Sequence, residues 1–188
     1  MQRRTFLAAS SAMATASLVP PGARAQAADV LTRPWTGPYG GVPPFDRVKV
    51  ADFRAAWDAA MAQELSEIDA IADNPAAPTF ENTIGALERA GEAGDRVGTI
   101  YNIWTGTLST PELRTIEKEV EPRLAAHRDQ ILQNEKLFKR IEAVYEARDK
   151  AGLTPEQQRL AWVRWNAFVR AGAKPSPAAK ARVAEINK

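Results

Sequence analysis

An all-α fold is predicted for this chain, and three observations predict it. Apolar residues recur at spacings of three and four through most of the sequence, no stretch alternates with a period of two, and the same helix-start chemistry repeats along the chain. The 188 residues include 13 prolines, which punctuate the helices, and no cysteine, which removes disulfides and thiol catalysis from consideration.

Residues 1–25 read as a twin-arginine signal peptide. Arg3-Arg4-Thr5-Phe6-Leu7 sets two arginines, a spacer and Phe-Leu ahead of an uncharged apolar run from Ala8 to Val19. Ala23-Arg24-Ala25 then offers a small-residue cleavage site, with Ala25-Gln26-Ala27 as a nearby alternative. The apolar run falls short of the roughly 20 residues that span a bilayer, so the processed protein is expected in the periplasm with no membrane anchor. Residues 26–44 follow as an irregular arm rich in Pro, Gly and aromatics. An arm of this kind lacks a core of its own, so Trp35 and Tyr39 are expected to dock onto the larger body.

Residues 45–188 are the helical domain. Its first helix is predicted from about Val50 to Ala72, with Phe53, Trp57, Met61, Leu65, Ile68 and Ile71 on one face. Asn74-Pro75 ends it, because a residue preceding proline is pushed out of the helical region. The second helix is predicted after Pro78, with Thr79 capping free amides and Glu81 in the first turn, where a carboxylate meets the positive end of the helix dipole. From Phe80 to Trp104 a single apolar stripe continues, interrupted by Gly91, Gly94 and Gly98, and these three, at i, i+3 and i+7, are expected to let a neighbouring helix approach closely. Thr110-Pro111, Thr154-Pro155 and Ser176-Pro177 each place a capping hydroxyl before a proline at the first helical position, and Gln157 completes a capping box with Thr154. The helices so marked cover about 111–133, 135–149, 155–171 and 177 onward. Pro122 is expected to kink or break the first of these near residues 114–120. Gly152 and Gly172 stand where helix ends take a left-handed residue.

Charge excludes one class of partner. Removing Arg3, Arg4 and Arg24 from the 25 Lys and Arg leaves 22 against 23 Asp and Glu, so the basic isoelectric point near 9.0 belongs partly to the signal. No block of basic residues marks a nucleic-acid face. The remaining residues, about 163, suffice for one domain burying roughly 70% of its unfolded surface.

Few residues in the chain invite a chemical role. His127 is the sole histidine, with Arg123 one turn before it and Gln130 three residues after. An ordinary polar or interface position explains it better than metal ligation, since no second histidine stands four residues away. The Ser and Thr hydroxyls have no second histidine and no obvious lysine partner for activation. Glu81-Asn82-Thr83 could form a polar site, but first-turn and cap chemistry explains it with less. Trp162 and Trp165, with Phe168 and Val169, could line a peptide groove or stack on bases, although helical spacing favours core packing. Charges from Glu112 to Arg128 alternate in sign, as on a solvated helix face. No catalytic, cofactor-binding or metal residue is therefore assigned.

The order of motifs carries more than any single residue. Pro43-Pro44-Phe45-Asp46, a helix, then Asn74-Pro75-Ala76-Ala77-Pro78-Thr79-Phe80-Glu81-Asn82-Thr83-Ile84 resembles the opening of the thimet-oligopeptidase-like zinc metallopeptidases. Leu137-Phe138-Lys139-Arg140-Ile141, the tract from Leu153 to Leu160, and Phe168-Val169-Arg170-Ala171-Gly172-Ala173 resemble that family's later helices. The tract from Trp35 to Asp46 favours the peptidyl-dipeptidase (dipeptidyl carboxypeptidase) branch. The resemblance implies the N-terminal helical lobe of a two-lobed, mostly helical metallopeptidase that releases C-terminal dipeptides from short unstructured peptides. It further implies zinc held by a His-Glu-x-x-His helix and a distant glutamate, all beyond Lys188. The chain alone is then expected to bind no zinc, to be inactive, and to need the missing C-terminal catalytic portion. The last predicted helix reaches Lys188 without a terminating residue, which the resemblance makes an expected truncation. The alternative reading is a self-contained helical binding or scaffold module of the periplasm.

Overall fold

The computed structural model describes residues 29–173. The proposed signal peptide and the helix predicted from Ser176-Pro177 lie outside the described residues. Within them every regular element is helical. The helices are α1 (Asp52–Ala72), α2 (Ala86–Arg89), α3 (Glu92–Thr107), α4 (Pro111–Leu132), α5 (Glu135–Ala147) and α6 (Pro155–Arg170). A 3-10 turn covers Pro38–Gly40 and a π-helical turn covers Phe80–Gly85.

Helix starts follow the predicted cap chemistry. Thr110 Oγ1 accepts from the Leu113 amide at 3.2 Å, and Thr154 and Gln157 bond reciprocally, with the Gln157 amide donating to Thr154 Oγ1 at 3.3 Å. Asn134 adds a cap that the spacing did not single out, accepting from the Leu137 amide at 3.0 Å. Gly152 and Gly172 take positive φ values of 65° and 94°. Each such cap contributes about 1 kcal/mol by satisfying an amide that the helix itself leaves free.

α1 is the spine of the domain, and two apolar clusters form along it. Its first half buries Phe53, Trp57 and Ala60 against Val97, Ile100 and Tyr101 of α3 and against Leu113, Ile116 and Val120 of α4. Phe53 meets Tyr101 and Trp104 edge to face, with centroids 5.3 and 5.5 Å apart, a geometry that adds about 0.5–1.5 kcal/mol per pair beyond burial. The second half carries Ile68 and Ile71 into a cluster with Ile84, with Leu137, Phe138 and Ile141 of α5, and with Ala161 and Phe168 of α6. Truncating a fully buried Ile such as Ile116 or Ile141 is expected to cost about 2–5 kcal/mol.

Three expectations are corrected. The stripe from Phe80 to Trp104 is not one helix: it begins as the π-helical turn, passes through α2, breaks at Ala90–Gly91, and resumes as α3. Gly91 causes the break, with a φ of +83° that L side chains rarely adopt. Gly94 and Gly98 do lie against a neighbour, since a Cβ at Gly98 would stand 3.4 Å from the Trp57 ring of α1. The second correction concerns the break expected near Pro122: α4 runs as one helix from Pro111 to Leu132. Pro122 is exposed, as is Lys118 whose carbonyl loses its partner, so the missing bond falls on the solvent side while Ile116, Val120 and partly buried Leu124 hold the inner face in the core. The third concerns the arm. Trp35 does pack against the first cluster, joined by Leu31 and Val48, but Tyr39 projects fully into solvent at a φ of +58°. Residues 29–32 of the arm are helical.

Candidate functional site

The motif that carries the family resemblance is built as a clamp on the loop between α1 and the π-helical turn. Asn74 Oδ1 accepts from the Ala76 amide at 2.9 Å, which turns the chain directly after α1. Asn82 then organises the far end. Its amide donates to Thr79 Oγ1 at 3.1 Å, its Oδ1 accepts from the Thr79 amide at 2.8 Å, and its Nδ2 donates to the Ala77 carbonyl at 2.9 Å. The Thr83 hydroxyl, fully buried, donates to the same Oδ1 at 2.9 Å.

Arg140 of α5 closes the clamp from the other side of the fold. Its guanidinium, 7% exposed as a residue, donates to the Asn74 carbonyl at 2.8 Å, the Ala76 carbonyl at 3.0 Å and Asn82 Oδ1 at 3.0 Å. The planar fork reaches three acceptors at once, which a lysine ammonium could not match in this geometry. The Glu81-Asn82-Thr83 trio is thus cap and clamp chemistry, with Glu81 paired to Arg89 at the surface. Asn82 and Thr83 spend their polar groups on the protein itself.

His127 also has a structural partner. Its Nε2 lies 2.8 Å from Glu64 Oε2, tying α4 to α1, and its side chain is only 10% exposed. One turn further along α1, Glu67 Oε2 accepts from the Gly91 amide at 2.8 Å and fixes the break between α2 and α3. The Glu64 carboxylate stands where a Cβ on Gly91 would need to be, 2.9 Å from its Oε1. Beside this network runs a cleft floored by Gly91, Gly94 and Gly98 over Trp57, with Asp95, Thr99 and Asn102 on its rim.

The α4 charges that read as a solvated face are exposed apart from half-buried Glu117, but two of them cross to α1. Glu119 pairs with Arg54, whose guanidinium holds the carboxyl below its usual range, and Arg123 pairs with Asp58. The Tyr101 hydroxyl is pushed upward, first by burial and then by the nearby Glu121 carboxylate, to which it donates at 3.3 Å. Trp165 stacks on Tyr145 with centroids 4.3 Å apart and packs against the second cluster, so it serves the core. Trp162, half-buried, is covered by the Arg159 guanidinium at 4.1 Å.

The fit to zinc can be tested on these residues directly. A zinc site takes three or four N, S or O ligands from converging side chains. Among the described residues no group of three His, Cys, Asp or Glu stands close enough to hold a metal ion, and the one imidazole is engaged by Glu64. The described residues do not fit the metal. No described helix is long and apolar enough to cross a membrane.

Sequence reasoning placed Thr79 as a cap and weighed cap chemistry for the trio, but it missed Arg140 and Glu64. Their partners lie 58 to 66 residues away in the chain, and no local pattern links them.

No protein-family model matches the chain. Two curated proteins do. The dipeptidyl carboxypeptidase of Salmonella typhimurium is 38% identical over 145 residues, which is 77% of this chain and 21% of that protein. The dipeptidyl carboxypeptidase of Escherichia coli is 39% identical over 156 residues, 83% of this chain and 22% of the relative. The chain spans about a fifth of the length of the curated relatives it matches. Identity at this level over 77–83% of the chain places it in the family of the dipeptidyl carboxypeptidases, the peptidyl-dipeptidase branch of the thimet-oligopeptidase-like peptidases.

Proposed function

We propose that this chain is the N-terminal helical part of an exported zinc peptidyl-dipeptidase which, at full length, releases C-terminal dipeptides from short unstructured peptides. The observation that carries the proposal is the 38–39% identity to two proteins named dipeptidyl carboxypeptidase over 77–83% of the chain. In this reading the described residues supply scaffold. α1 fixes α3, α4 and α5 through two apolar clusters, and the Arg140 clamp sets the loop that leads into the π-helical turn. Zinc, bound by a His-Glu-x-x-His helix and a distant glutamate, belongs to a C-terminal catalytic portion, and this chain by itself is inactive. The periplasmic location rests on the Arg3-Arg4-Thr5-Phe6-Leu7 pattern and the apolar run that follows it.

Reading the coding sequence downstream of Lys188 tests the proposal. Continuation into a segment with His-Glu-x-x-His is the expected result. A genuine stop codon, with the chain stable and folded as encoded, would overturn it in favour of a self-contained helical binding module.

A further inference from the structure

We draw no further inference here: the strongest candidate, the cleft between α1 and α3 floored by Gly91, Gly94 and Gly98, is a small-residue stripe whose close approach is already explained by the Trp57 ring, and nothing in the structure shows what occupies its open side.

Discussion

Replacing Arg140 by methionine keeps much of the side chain's apolar length and removes the guanidinium that grips the loop after α1. Three hydrogen bonds are lost, at 2.8, 3.0 and 3.0 Å. A bond from a charged donor contributes about 1.5–3 kcal/mol where its partner stays buried. Rehydration lowers that figure here. Ala76 is exposed and Asn74 half-buried, so water reaches both carbonyls, while Asn82 Oδ1 retains the Thr79 amide and the Thr83 hydroxyl. The substitution also relieves the desolvation of a cation whose Nε has no hydrogen-bond partner among the described residues. Taking the low end for each bond and subtracting that relief leaves a net loss of about 2 kcal/mol. In a domain of this size the loss lowers the melting midpoint by roughly 4–8 °C. Urea unfolding followed by circular dichroism measures the free energy, and amide exchange at Thr79 and Asn82 reports whether the loop opens. Arg140→Lys should recover part of the loss. An Arg140→Met protein within about 0.5 kcal/mol of the parent, with unchanged exchange at Thr79, would show that Asn82 alone holds the loop and that the clamp reasoning fails.

Gly91 and Gly98 should respond unequally. Gly91→Ala forces a Cβ onto a φ of +83° and against Glu64, so it is expected to destabilise by about 1–2 kcal/mol, whereas Gly98→Ala meets Trp57 at ordinary van der Waals distance and, gaining helix propensity, should be neutral or stabilising by up to about 1 kcal/mol. Equal effects in thermal melts would contradict the assignment of Gly91 as the conformational break. Tyr101 should remain protonated at a pH where a free phenol, with its ordinary value near 10, is mostly ionised. Because its folded value is raised, the stability that it contributes is complete below the ordinary phenol range and is lost as pH climbs toward the folded value. Absorbance at 295 nm should therefore show Tyr101→Phe removing signal only from the most alkaline part of the titration, and loss of signal near the ordinary range would refute the burial argument. Glu119 titrates the opposite way. Held low by Arg54, it favours the folded state above the ordinary carboxylate range, and that contribution fades as pH falls through its depressed folded value; Arg54→Met should move the Glu119 carboxyl resonance toward ordinary titration.

Legibility followed the range of the interaction. Thr110, Thr154 and Gln157 act on amides three residues away, so the cap pattern alone located the starts of α4 and α6 to the residue. The apolar periodicity likewise placed α1 and its buried face, because burial on one side of a helix is a local pattern. Gly91 was legible as a glycine but not as a break. Its position depends on Glu67 and Glu64 arriving from α1, 24 residues or more earlier in the chain. Pro122 misled for a related reason: the cost of its missing amide depends on whether water reaches the orphaned carbonyl, and exposure is a tertiary property. Tyr39 was expected to dock because the arm lacks a core of its own, yet the loop closes through Gly41. A Cβ there would stand 2.8 Å from the Trp35 backbone, so the turn packs on itself and leaves the phenol outside. Within the candidate site, Thr79 was visible as a cap and the Glu81-Asn82-Thr83 trio as first-turn and cap chemistry, whereas the bonds of Asn82 and the reach of Arg140 were not.

In the proposed function these helices frame a peptidase without carrying its chemistry. The decisive assay incubates the purified chain with a blocked tripeptide, with zinc present and with or without a chelator. No release of the C-terminal dipeptide is expected under either condition, and release that the chelator abolishes would refute the scaffold role.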